Sequence, residues 1–149
     1  MPQPGPTQAA AAPTTAPELP TVEGPLDEAI PLDTGFEIEI VSIRAVQVAA
    51  TTPGEVAGSA LRVEVLARNG SQQPQSVDSA VVTLVAADGE PGIDTTAGSP
   101  SPLRGTVAPG DAVTGSYVFM LDPADGREVT VSVNYAAGQP VAVFTGTTA

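Results

Sequence analysis

The stretch Leu61-Arg62-Val63-Glu64-Val65-Leu66-Ala67-Arg68-Asn69-Gly70 decides the fold. Leu61, Val63, Val65 and Ala67 alternate with the charged Arg62, Glu64 and Arg68. Successive side chains of an extended strand point to opposite faces, so this pattern predicts a strand with one face in a core and one toward water. Asn69-Gly70 ends it with residues that suit the left-handed backbone of a tight turn. Upstream, Phe36, Ile38 and Ile40 alternate with Glu37 and Glu39. Ile43 falls out of phase and Val46 and Val48 return, which predicts a bulge or break near Val41–Ser42.

Downstream the same grammar continues. Thr51–Ser59, with Pro53-Gly54, reads as a loop. Residues 77–87 are almost continuously apolar (Val77, Val81, Val82, Leu84, Val85), which predicts a strand covered on both faces or lying at an edge. Residues 89–102, rich in Gly, Pro, Ser and Thr, form the longest expected loop. Leu103–Val107 is a short strand candidate, followed by an Ala108-Pro109-Gly110-Asp111 turn. Val113–Leu121 places Tyr117, Phe119 and Leu121 on one face and Val118 and Met120 on the other. Gly115 inside it predicts a bulge or a close backbone approach. Val129, Val131, Val133 and Tyr135 alternate with Thr130, Ser132 and Asn134, and Val141, Val143 and Phe144 make the last strand. About seven strands and no amphipathic helix predict an all-β fold, a sandwich of two antiparallel sheets or a small barrel. The size and unequal loops favour an immunoglobulin-like β-sandwich, without the Cys…Trp…Cys of antibody domains.

The first 35 residues are of another kind. They hold 8 of the 16 prolines, five acids and no base, whereas all five aromatics and all five arginines follow. Residues 1–24, rich in Pro, Ala and Thr, predict a disordered tether with polyproline II character. Leu26, Ile30 and Leu32 predict an irregular lead-in lying across the domain. The expected organisation is therefore tether and lead-in over 1–35 and sandwich over 36–149. Such a tether suits a stalk between an upstream anchor and a surface domain, so an extracellular or cell-envelope location is expected. The cytoplasmic alternative rests on the absence of a signal-peptide pattern after Met1. No apolar run of about 18 residues predicts a membrane span.

Composition narrows the chemistry. Seventeen acids against five bases give a net charge of −12, and there is no histidine, cysteine or lysine. Such a surface repels nucleic acid and lacks the basic stripe that phosphate backbones need. Histidine-based triads and their lysine or cysteine substitutes have no residues to use. Imidazole and thiolate metal sites fail for the same reason. No phosphate-binding glycine loop follows a strand. No enzyme and no resident cofactor are expected. Calcium, which needs only oxygen ligands, has two weak candidate clusters: Asp122, Asp125 and Glu128 around one turn, and Asp88, Glu90 and Asp94 along the long loop. Neither has EF-hand spacing, and both suit ordinary turns. Carbohydrate binding would need exposed rings, and Tyr117 and Tyr135 both have inward phase. A carboxylate hydrolase would need two acids about 5–10 Å apart in one pocket.

Several of these pieces together carry a resemblance. They are Arg68-Asn69-Gly70-Ser71 closing a strand, Val107-Ala108-Pro109-Gly110-Asp111, Thr114-Gly115, Tyr117-Val118-Phe119 running into Asp122-Pro123, and the final Val143-Phe144-Thr145-Gly146. Over residues 36–146 the chain resembles the telokin-like, immunoglobulin-like secreted or lipoprotein domains of actinobacterial and other Gram-positive cell envelopes. That family is similar in architecture to a small secreted mycobacterial antigen. The resemblance implies an anchor and a low-complexity stalk, and it carries over no functional residues. Two roles follow as expectations: a monomeric surface module that meets a protein partner through its loops (51–59 and 89–102) or a sheet edge, or a ligand-free spacer.

Overall fold

The computed structural model describes residues 20–148. Of the tether expected over residues 1–24, residues 1–19 lie outside them, and residues 21–24 belong to a strand. Eleven strands form, at Thr21–Pro25 (β1), Ile30–Pro31 (β2), Phe36–Val48 (β3), Gly58–Asn69 (β4), Gln75–Ser76 (β5), Val81–Ala86 (β6), Ile93–Asp94 (β7), Thr106–Val107 (β8), Ala112–Met120 (β9), Glu128–Asn134 (β10) and Val141–Thr147 (β11). One sheet runs β1-β11-β10-β6, the other β2-β3-β4-β9-β7, and β5 and β8 pair as a small ribbon. The two sheets face each other across one core. The fold is an immunoglobulin-like β-sandwich.

The alternation in the sequence builds that core directly. Val63, Val65 and Ala67 of β4 and Val129, Val131 and Val133 of β10 are fully buried. Burying such a side chain is worth about 1.5–3 kcal/mol, so these two central strands alone anchor the sandwich. Phe36 stacks on Tyr135, with ring centroids 4.1 Å apart and planes 8° from parallel. The Tyr135 hydroxyl donates to Thr34 Oγ1 at 2.8 Å, so the buried ring keeps a partner for its polar tip. The β3–β4 register shifts between Ile40 and Ser42, and Val41 is the bulged residue.

Three expectations need correction. The domain begins near Pro20 and not at Phe36. β1 hydrogen-bonds along β11, and Ile30 and Leu32 enter the main core at 3% and 5% exposure. The apolar residues of the lead-in therefore complete the sandwich. The sheets are not wholly antiparallel, because β1 pairs with β11 in parallel. Asn69-Gly70 is not a left-handed turn, since neither residue has positive φ. Asn69 is instead fully buried, and its side chain organises the chain around it. Its Nδ2 donates to Gln73 O and Val107 O, both at 2.8 Å, and its Oδ1 accepts from the Ser71 amide and hydroxyl. Gly70 is needed for space: a Cβ there would meet Gly35 O at 2.8 Å.

Residues 103–107 also differ from the strand expected there. Only Thr106–Val107 is extended against β5. Leu103 is buried because the chain presses onto Gly115 of β9, where a Cβ would collide with Leu103. The β4–β9 register is unbroken there, so Gly115 marks a close approach and not a bulge.

Candidate functional site

The long segment after β6 governs the surface. The chain leaves β6, turns at Asp88-Gly89, and returns along the same strand, with Ala86 N–H donating to Glu90 O and Gly92 N–H to Leu84 O, each at 2.8 Å. It then crosses to the other sheet, where Ile93 and Asp94 pair with Met120 and Phe119 of β9. Gly92 permits this crossing, since a Cβ would sit 2.9 Å from a Leu84 methyl and 3.0 Å from Phe119 Cβ. Residues 95–101 next cover the edge and outer face of the five-stranded sheet. Ala97 is buried with Val48, Ala60 and Val118 in a second, smaller apolar cluster. Ser101 and Ser116 exchange both backbone hydrogen bonds.

Hydrogen bonds hold the segment down. Arg62 Nη1 donates to Gly98 O at 2.7 Å. Glu55 Oε2 accepts from Thr96 Oγ1 at 2.8 Å, while its Oε1 accepts from the amides of Thr51 and Thr52. The Thr51 amide above all, followed by the Thr96 and Thr52 hydroxyls, holds the Glu55 carboxyl down from 4.5 to about 2. The two loops expected as contact surfaces are thus joined by one carboxylate.

Between β6 and this segment lies a cleft of about 400 Å³. Ala80, Val81 and Val82 form one wall, and Asp94, Thr95 and Thr96 the other. Pro100 and Pro102 line it too, with Tyr117 beneath. Tyr117 is 7% exposed, and its hydroxyl accepts from Leu103 N–H at 3.0 Å. Burial raises its pKa, with the Asp94 charge adding to the effect. Among the described residues, three of the six exposed large apolar side chains lie on β6 and β7; Val81 lines this cleft, whereas Val85 does not and Ile93 lines another hollow with Met120 and Asp122.

The outer edge of β6 is only half covered. Ala87 N–H donates to Glu128 O, so residues 85, 83 and 81 exchange backbone bonds with β10 and residues 86, 84 and 82 face away from it. The returning residues 90–92 satisfy both backbone groups of Ala86 (with Gly89 N–H) and the Leu84 carbonyl. Both backbone groups of Val82 have no backbone partner among the described residues and stand at the cleft, whereas Leu84, whose N–H also has none, is 1% exposed and does not line it.

The weak calcium candidates are arranged differently from their sequence grouping. Arg127 Nη2 reaches Glu90 Oε1 at 2.9 Å and Asp88 Oδ2 at 3.4 Å, while its Nη1 donates to Pro123 O. A guanidinium therefore bridges the two acidic turns. The Glu90 hydrogen bond, with both carboxylate charges, raises the Arg127 pKa further. Asp94 is separated from its sequence neighbours and lines the cleft. Asp122 lies beside β7 and Met120, and Asp125 lines a shallow hollow near Ala45 and Ser59. Glu128 opens β10 opposite Thr147. Among the described residues no three Asp, Glu, His or Cys side chains gather as a metal site. The cleft is lined by one carboxylate and not the two a glycosidase needs. All five aromatic rings are buried, at 7% exposure or less, which leaves no surface ring for a sugar to stack on.

Sequence reasoning missed Glu55, Asn69 and the half-open edge of β6. One signal for the covered outer face was present, since Val118 and Met120 are apolar on the face opposite Tyr117, Phe119 and Leu121.

No family model matches the chain, and no curated protein is similar to it in sequence. Solved structures that share its fold include three with TM-scores above 0.5. The secreted protein MPT63 from Mycobacterium tuberculosis superposes with a TM-score of 0.61 at 15% identity, covering 85% of this chain and 98% of MPT63. The ycdA protein of Bacillus subtilis, a candidate lipoprotein, also gives 0.61, at 17% identity over 83% of this chain. This chain spans only 39% of that one. The yjhA protein of Bacillus subtilis gives 0.56 at 14% identity, covering 81% of this chain and 84% of its own. No helix among the described residues is long and apolar enough to cross a membrane.

Proposed function

We propose that this chain is a non-catalytic module, secreted or held at a cell envelope, that engages a protein partner at the cleft beside β6. One observation carries the reading: the exposed Val81, the unpaired backbone of Val82 and a cleft with apolar walls coincide at one sheet edge of an acidic molecule. The secreted and candidate-lipoprotein character of its structural neighbours supports the location, as does the telokin-like resemblance of residues 36–146. A ligand-free spacer is the competing role, and it would have no use for that opening.

The absence of cysteine makes the test clean. A photo-crosslinker is attached at Val81→Cys and, as a control, at Glu23→Cys on the far sheet edge. Cross-linking with envelope extract, followed by mass spectrometry, should identify one protein from position 81 only. Equal yields at both positions, or none at 81, would favour the spacer.

A further inference from the structure

We infer that β6 accepts an added strand from a peptide segment that carries a cationic side chain for Asp94. The inference rests on the proposed interaction role and specifies its chemistry. An uncovered strand edge is a template for another backbone, and proteins usually blunt such edges with charge, proline or a covering segment. Here the outer side chains of β6 are Val81, Thr83 and Val85, with no charge or proline. The covering segment stops at Leu84, although the same segment covers the edge of β9 from Met120 to Ser116. The open groups at the cleft are therefore the N–H and C=O of Val82. A strand laid there would place alternate side chains into the cleft. Val81, Val82, Pro100 and Pro102 offer apolar walls, and Thr95 and Thr96 offer hydroxyls.

Charge selects the occupant. The ion pairs among the described residues join Arg68 to Glu37 and Arg127 to Asp88 and Glu90, so Asp94 has no cationic partner. It faces the cleft in a molecule of net charge −12. Arg104, which forms no ion pair, is not among the residues that line the cleft but borders an adjoining hollow that shares Pro100 and Pro102 with it. An acidic strand would thus be repelled by the molecule as a whole, and a basic one drawn in.

The test uses the full chain and heptapeptides that alternate valine and threonine, with one arginine placed at each position in turn. A matching set carries glutamate or serine in its place. Calorimetry should show binding for an arginine peptide and weaker or no binding for its glutamate counterpart. Amide hydrogen exchange at Val82 should slow on binding. Asp94→Asn should weaken the arginine peptide about fivefold and leave its serine counterpart unchanged. N-methylation of alternate peptide amides should abolish binding through lost backbone pairing. Glutamate peptides binding as well as arginine peptides would overturn the charge assignment. Binding that slows exchange elsewhere overturns the strand addition while the interaction role stands. No binding by any peptide, with cross-linking from position 81 intact, overturns the strand addition alone. Failure of both experiments removes both readings.

Discussion

Replacing Asn69 by alanine should lower stability by about 3 kcal/mol. The side chain is wholly buried and makes four hydrogen bonds that join the end of β4, residues 71–73 and β8. Truncation removes the donor at 2.8 Å from the buried Val107 carbonyl, which keeps only its ladder bond from the Gln75 N–H, and leaves a void where the amide stood, together costing about 2 kcal/mol. The bonds to Ser71 and Gln73 lie nearer water, which can replace part of them, so they add about 1 kcal/mol together. The backbone bonds of Asn69 to Gly110 and Asp111 survive the change. For a domain of this size about 3 kcal/mol corresponds to a fall in Tm of roughly 12 °C. Scanning calorimetry measures it, with urea unfolding as a check on two-state behaviour. Asn69→Asp keeps the acceptors, loses both donors and sets a charge against two carbonyls, so at neutral pH it should be no better than alanine. A fall in Tm of under about 4 °C, or an aspartate variant as stable as the parent, would refute the reasoning.

Other outcomes follow from the same geometry. Gly115→Ala drives a methyl into the Leu103 backbone, which has no room to yield, and should cost about 1–3 kcal/mol in urea unfolding. Deleting residues 1–35 removes Ile30 and Leu32 from the core and uncovers β11, so circular dichroism should show a far lower midpoint than deletion of residues 1–19. Because the folded pKa of Glu55 is lowered, its stabilising contribution is complete above about 4.5 and is lost as pH falls through about 2. The amide resonances of Thr51 and Thr52 should titrate with a midpoint near 2, and a midpoint near 4.5 would show that the carboxylate is not held.

The strands that bury one face were legible because burial forces alternation, as β4 and β10 show. The bulge at Val41 was legible for the same reason, since it breaks the phase. β1 was not, because none of its side chains is buried and main-chain hydrogen bonds alone hold it. Thr-Val-Glu-Gly-Pro therefore carries no periodic signal. The inward phase of Tyr117 was readable, but its place beneath a cleft was not. That depends on the crossing at Gly92, which carries Asp94 away from Asp88 and Glu90. The partnership of those two acids with Arg127 is likewise a long-range fact, set by where two turns meet at one end of the sandwich. Asn69-Gly70 misled because local turn chemistry lost to the needs of a buried amide.

The parallel pairing of β1 with β11 has a mechanical consequence. The described chain enters beside Val141 and leaves beyond Thr147, at opposite ends of the same pair of strands. Tension between the two termini would slide these strands past each other, loading all their hydrogen bonds at once instead of peeling them one by one. A short strip with no buried side chain can then resist a pull in that direction far better than its small contribution to equilibrium stability would suggest.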